Sequence, residues 1–206
     1  MEREQVDIIN KINELYDKGW NIILYTARGG KSCDTLEQKE AKYREVTERW
    51  LDKHNVKLII LTHAHVDHIW NTSYIQKLYN CEVAISKKDI KNIDNKQIKT
   101  KPLNKFAKHW TKLMSFGMNK FEAKPFNINY QLKDKEEINK YGIKLVVHSL
   151  PGHTTGSIGI KYKKYLFAGD ALVNRKSYVE IAYQNQNNDL ARESFKKIVK
   201  IKPKMV

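Results

Sequence analysis

The stretch "KLIILTHAHVDH" (residues 57–68) decides the reading of this chain. An apolar run, Leu58 to Leu61, ends in three histidines and an aspartate: His63, His65, Asp67 and His68. Imidazoles do not gather this way to fill a core. Side chains alternate along a strand, so a strand that ends in His-x-His projects both rings to the same side. His63 and His65 can then grip one cation. Asp67 and His68 follow as the chain turns into a helix, where they can face a second cation. Zinc takes imidazole nitrogen and carboxylate oxygen, and a catalytic site keeps one position open for water.

Two further candidates lie downstream, each after an apolar run. "SLPGHTTGS" (149–157) places His153 in a Pro-Gly turn, and "YLFAGDAL" (165–172) places Asp170 beside a glycine. Loops at strand ends are where α/β folds carry their sites. A carboxylate such as Asp170 can bridge two cations with its two oxygens. Of the other histidines, His54 sits at a predicted helix end, where a cation suits the dipole. His109 lies among Lys and Trp and reads as a surface residue. His148 alternates with Val146 and Leu150, which makes it a strand residue or an outer partner to a ligand.

The rest of the chain supplies the frame. Helical spacing runs through residues 4–18 and 35–53, and short buried strands are expected at 20–25 and 56–61. "IWNTSYIQKLYN" (69–80) reads as helix, "CEVAIS" (81–86) as strand and "GIKLVVHSL" (142–150) as strand. Residues 157–169 read as a hairpin turning at Lys163-Lys164, and 189–200 as helix. Residues 87–130 are rich in Lys and Asn, with Phe106, Trp110, Phe116 and Phe121 among them; part of this stretch is expected to be helical. Alternating helices and strands predict a layered α/β fold.

Composition sets the outer bounds. The chain has 206 residues, 41% of them hydrophobic, which suits one domain or two small ones with a sizeable core. The formal charge is +15. An anionic small-molecule substrate fits that balance, and nucleic acid is admitted by it but not favoured, because the lysines are spread along the whole chain. Cys33 and Cys81 are isolated and form no Cys-x-x-Cys pair, as expected of free thiols in a reducing cytosol. The charged start lacks an apolar signal region, and no apolar run is long enough to span a bilayer. A cytoplasmic protein is expected, with its oligomeric state open. The "RGGK" at 28–31 offers backbone N–H groups and two cations to a phosphate, but a lone Gly-Gly reads more simply as a plain loop.

"THAHVDH", "PGHTTGS" and "FAGDAL" together resemble, in order and spacing, the motifs of the metallo-β-lactamase-fold hydrolases, over roughly residues 57–206. The resemblance implies an αββα sandwich with the metal site at one edge and two divalent metals, most readily zinc, with iron or manganese also compatible. By it, His63, His65 and His153 would hold the first metal. Asp67, His68 and Asp170 would hold the second, with Asp170 bridging. A metal-bound hydroxide would attack an ester, thioester, lactone or phosphoester, and Asp67 would orient the nucleophile and accept its proton. The family's motif set ends with one more histidine in a Gly-His-Gly-like turn. This sequence has no histidine beyond His153, so the resemblance also implies an incomplete C-terminal end, a weaker second site and, as the alternative, a metal-binding protein with little turnover.

Residues 1–56 depart from that pattern and form an atypical N-terminal α/β segment. "INKINELYDKGWNIILYTARGG" and "KYREVTERWLDKHNV" resemble part of a haloacid-dehalogenase-like phosphatase, with Thr26, Arg28 and Gly29 at its second phosphate-binding motif. The Asp-x-Asp nucleophile of that family is absent, so its chemistry is not expected. Either the chain joins two partial folds near residues 56–60, or both parts pack as one domain.

Overall fold

The structure is a computed structural model and describes residues 22–23, 56–93, 101–103, 123–175, 178–204 and 206. The predicted helices at 4–18 and 35–53, the "RGGK" loop, His54, His109 and the aromatics from Phe106 to Phe121 lie outside those residues.

In chain order the elements are β1 (Ile22–Ile23), β2 (Leu58–Leu61), α1 (Val66–Ile69), α2 (Thr72–Tyr79) and β3 (Glu82–Ser86). A 3-10 turn at Lys87–Asp89 leads into α3 (Ile90–Ile93) and then β4 (Lys101–Pro102). Four strands follow: β5 (Tyr130–Leu132), β6 (Glu137–Lys140), β7 (Ile143–Ser149) and β8 (Ile158–Tyr162). The chain continues through β9 (Tyr165–Phe167), a 3-10 turn at Gly169–Ala171, β10 (Leu172–Arg175), β11 (Tyr178–Ile181), β12 (Gln184–Asn185) and α4 (Asn188–Ile201).

Two four-stranded sheets result. The first runs in the order β1-β2-β3-β5 with every neighbouring pair parallel, and the second is an antiparallel meander, β6-β7-β8-β9. The apolar runs of β2 and β3 are what a strand covered on both faces requires. Alternate residues enter different cores. Ile59, Leu61, Val83 and Ile85 pack with Ile69 and Ile75 of the helical side. Leu58 and Ala84 turn the other way, onto Leu145, Val147, Ile158 and Ile160 of the second sheet. A third cluster, with Leu150, Leu166 and Ala168, receives Ile198 of α4 on the far side of the second sheet. Helix, sheet, sheet and helix are thus separated by three apolar seams, the αββα order expected from the resemblance.

The helices end where local chemistry dictates. Asn80 closes α2 in the left-handed conformation at φ 47°, which asparagine tolerates better than most residues. Asn187 caps α4, its Oδ1 accepting from the N–H groups of Asp189 and Leu190 at 3.0 and 3.1 Å. The hairpin expected at Lys163-Lys164 forms between β8 and β9, with Lys163 at φ 48°. Strands β5 and β6 and the β10–β11 hairpin were not anticipated.

Candidate metal centre

Three turns at strand ends meet at one edge of the sandwich. The first follows β2 and carries His63, His65 and, at the start of α1, Asp67 and His68. The second follows β7 and carries His153. The third follows β9 and carries Asp170. A backbone hydrogen bond from Ile158 N–H to the Thr62 carbonyl (2.9 Å) ties the first sheet to the second beside the site. The second turn is closed on itself by Leu150 N–H to Ser157 O (2.8 Å) and Gly152 N–H to Thr154 O (2.9 Å).

The imidazoles converge. Ring centroids lie 4.9 Å apart for His63 and His65, 4.8 Å for His63 and His153, 4.4 Å for His65 and His153, and 4.1 Å for His63 and His68. One ligand atom each from His63, His65 and His153 falls within a 4.8 Å group, and so does one each from His63, His68 and Asp170. Asp170 faces both groups: Oδ1 lies 3.4 Å from His68 Nε2, and Oδ2 lies 3.7 Å from His153 Nε2. Asp67 belongs to neither group. Its half-exposed carboxylate stands at the rim, 3.7 Å from His68 Nε2.

A hydrogen bond fixes which nitrogen His153 turns inward. His153 Nδ1 lies 2.6 Å from the Gln184 carbonyl, which can only accept, so Nδ1 carries the proton and Nε2 presents its lone pair. His63 Nδ1 contacts Thr62 Oγ1 at 3.1 Å. The Nε2 atoms of His63 and His153 are buried and have no hydrogen-bond partner. Buried polar atoms are rarely left so, and a lone pair aimed at a shared point among other donors is the arrangement a cation satisfies. The donor set of imidazoles and a carboxylate fits a divalent metal.

Electrostatics favour the same state. Burial holds His63 well below the usual imidazole range, assisted by His68, His153 and His65. Burial, with His153 beside it, lowers His65 to about 3. Burial also lowers His153, against the pull of Asp170. All three are therefore neutral at neutral pH, the state in which an imidazole can ligate a cation. His68 differs: burial would lower it, but the contact with Asp170 and the charges of Asp170 and Asp67 raise it on balance. Burial would raise Asp170, yet His68, His153 and His65 keep it below the ordinary carboxylate range.

Two partners of this site had no signal in the sequence. The Gln184 carbonyl belongs to the main chain, which composition cannot advertise. Asp89 lies in a plain "SKKDI" but is fully buried against the first two turns. His148 lies in β7, as expected of a strand residue, opposite Gly159.

The sequence model of the metallo-beta-lactamase superfamily matches residues 48–206. The chain belongs to that superfamily. A probable metallo-hydrolase of Methanocaldococcus jannaschii, MJ0888, is 30% identical over 118 residues, 57% of this chain and 50% of the relative. A second probable metallo-hydrolase of that organism, MJ0296, is 26% identical over 178 residues, 84% of this chain and 66% of the relative. The chain thus spans about half the length of the first and about two thirds of the second. Among solved structures, the metallo-beta-lactamase family protein TTHA1429 of Thermus thermophilus superposes with a TM-score of 0.57 at 21% identity, covering 79% of this chain and 59% of its own. TTHA1623, solved in a di-iron-bound form, gives 0.55 at 18% identity, covering 80% and 74%. These likenesses establish the fold. They give no support to the haloacid-dehalogenase resemblance of the N-terminal segment or to the nucleic-acid alternative. The only described part of that segment before residue 56, β1, pairs in parallel with β2. Short apolar strands paired in parallel recur in many α/β folds, so the pattern is not specific.

Proposed function

We propose that this chain carries the metal centre of a metal-dependent hydrolase acting on an ester, thioester, lactone or phosphoester, with an anionic substrate suited to the +15 charge. The observation that carries this reading is the grouping of one ligand atom each from His63, His65 and His153 within 4.8 Å of one another, with the Nε2 atoms of His63 and His153 buried and without a hydrogen-bond partner. His63, His65 and His153 would hold one cation. His68, Asp170 and Asp67 would hold the other, with Asp170 between the two. Imidazole-rich ligation suits zinc, and the mixed His/Asp set is also compatible with iron or manganese. A divalent cation bound here supplies a Lewis acid for the scissile group and acidifies a bound water.

The chain's own residues do the rest. Gln184 fixes the His153 tautomer through Nδ1, so Nε2 stays free to ligate. Burial keeps His63, His65 and His153 unprotonated. Asp67, at the rim with a half-exposed carboxylate, orients the nucleophile and takes up the proton that it sheds.

Residues 57–206 form the metal-binding domain in this reading, and β1 (Ile22–Ile23) joins its parallel sheet beside β2. No helix among the described residues is long and apolar enough to cross a membrane; with isolated cysteines, a cytoplasmic location follows as part of the proposal.

Elemental analysis of the purified chain and of His63→Ala tests the reading. Metal near two equivalents in the wild type, lost in the variant, is expected together with hydrolysis of ester or phosphodiester substrates. A metal-free wild type that also fails to take up zinc, iron or manganese on reconstitution would refute it.

A further inference from the structure

Behind the histidines lies a carboxylate that the proposed chemistry does not use. Asp89, at the end of the 3-10 turn after β3, is fully buried. Among the described residues, four donors meet its two oxygens. Oδ2 accepts from Ala64 N–H at 2.7 Å and from Thr154 Oγ1 at 2.9 Å. Oδ1 accepts from Asn92 Nδ2 at 2.7 Å and from Gly156 N–H at 3.2 Å. Ala64 is the residue between His63 and His65, and Thr154 directly follows His153. One side chain therefore grips the turn after β2 and the turn after β7.

The surroundings are built for it. A Cβ added at Gly156 would fall 2.5 Å from Asp89 N and 2.8 Å from its Cγ, so only glycine lets the second turn approach the carboxylate. Thr154 Oγ1 also meets Ser157 Oγ at 2.8 Å, and Ser157 Oγ accepts from Thr154 N–H at 3.0 Å. With Thr154 donating to Asp89, Ser157 donates to Thr154, and the relay is fully paired.

We propose that Asp89 is a positioning residue of the metal centre: its carboxylate sets the spacing between His63/His65 and His153 by bonding the backbone between the first two and the side chain beside the third. The inference rests on the metal-centre reading above. It is distinct from ligation, because each oxygen of Asp89 already accepts from two protein donors.

The test compares wild type, Asp89→Asn and Thr154→Val. Asparagine keeps the shape but swaps one oxygen for an NH2 group. A backbone N–H faces each side of the carboxylate, Ala64 on one and Gly156 on the other, so either orientation sets an N–H against a donor that cannot turn. Thr154→Val removes the hydroxyl that bonds Asp89 and Ser157 and leaves the charge of Asp89 in place. Zinc affinity is measured by competition with a chromophoric chelator on metal-free protein, below each variant's own melting temperature. The absorption spectrum of the cobalt-substituted forms reports ligand geometry. The expected result is a loss of affinity of about 10–100-fold in Asp89→Asn, the range for outer partners of metal ligands. A smaller loss is expected in Thr154→Val, with altered cobalt spectra in both. Wild-type affinity and spectrum in folded Asp89→Asn would overturn the inference even if its melting temperature falls, because that is the mark of a purely structural role. If Asp89→Asn does not fold, unchanged affinity and spectrum in Thr154→Val overturn it instead. A wild type that binds no zinc, iron or manganese at all removes the metal-centre reading itself, a separate outcome visible before any variant is made.

Discussion

Gly152→Ala is the substitution whose cost the structure sets most directly. Gly152 has φ 141°, a conformation L side chains rarely adopt, and a Cβ built there falls 2.4 Å from both the N and Cα of Ala191. Those are backbone atoms in the first turn of α4, so no side-chain rotation relieves the overlap. Backbone strain of this kind costs about 1–3 kcal/mol, and overpacking a tight contact costs about 1–3 kcal/mol more. The expected loss is therefore about 2–6 kcal/mol against a typical total of about 5–15. Gly142→Ala separates the two contributions. That residue has φ 77° with nothing within 4 Å of an added Cβ, so it should lose only the conformational part, about 1–2 kcal/mol. Urea unfolding of wild type and both variants, metal-free, measures the difference. The overlap also strains the bonds by which α4 and the residues before it steady the His153 turn: Asn187 N–H to Gly152 O at 3.0 Å, Gln186 N–H to His153 O at 3.1 Å, and Ser194 Oγ to Pro151 O at 2.6 Å. Equal stability losses in the two variants would refute the reasoning, since the close approach of α4 to the turn would then contribute nothing.

Saturating zinc should raise the melting temperature, by about 5–10 °C at a hundredfold excess over Kd, and a chelator should reverse the rise; scanning calorimetry with and without chelator checks it. The metal-free protein should lose stability as pH falls from about 7.5 to about 5.5. His63, His65 and His153 have folded values below the unfolded 6.5, so the unfolded chain takes up protons first. That stability is present above 6.5 and is lost below it, down to about 3 for His65, at about 1.4 kcal/mol per pH unit for each proton. His68, raised by Asp170, acts in the opposite sense and offsets part of the loss, whereas Asp170 is lowered and holds its contribution until more acid pH; urea midpoints across the range that stay flat or rise would contradict this balance. Leu145→Ala, in the fully buried seam between the sheets, should cost about 2–5 kcal/mol, while Leu190→Ala on the exposed face of α4 should stay within about 0.5, both read from urea midpoints.

The sequence was most legible where one residue answers to a strong local rule. Residues 58–61 and 83–85 are apolar on both alternations because each strand lies between two cores, and the histidines that follow 58–61 have no packing role to compete with the ligand reading. His153 and Asp170 were found because each follows an apolar strand. Strands β5 and β6 escaped notice because they are largely polar, with one buried residue apiece, Leu132 and Ile138. The β10–β11 hairpin exposes Tyr178 and Val179, which breaks the alternation expected of a half-buried strand. Asp89 was illegible for a deeper reason: its partners in the two metal-centre turns are 25, 65 and 67 residues away in the chain, and no window of sequence contains them. Asp67 shows the opposite case. The motif names it as a ligand, and its half-exposed carboxylate stands at the rim, 3.7 Å from His68 Nε2.

The site's three turns come from both sheets, and this has a kinetic meaning. His63 and His65 follow a strand of the parallel sheet, whereas His153 and Asp170 follow strands of the antiparallel one. The ligands meet only after the seam of Leu58, Ala84, Leu145 and Val147 has closed. Pairings so distant along the chain form late in folding. A cation should therefore bind after the rate-limiting step and leave the refolding rate almost untouched. It should act instead on the return path, as a brake on unfolding.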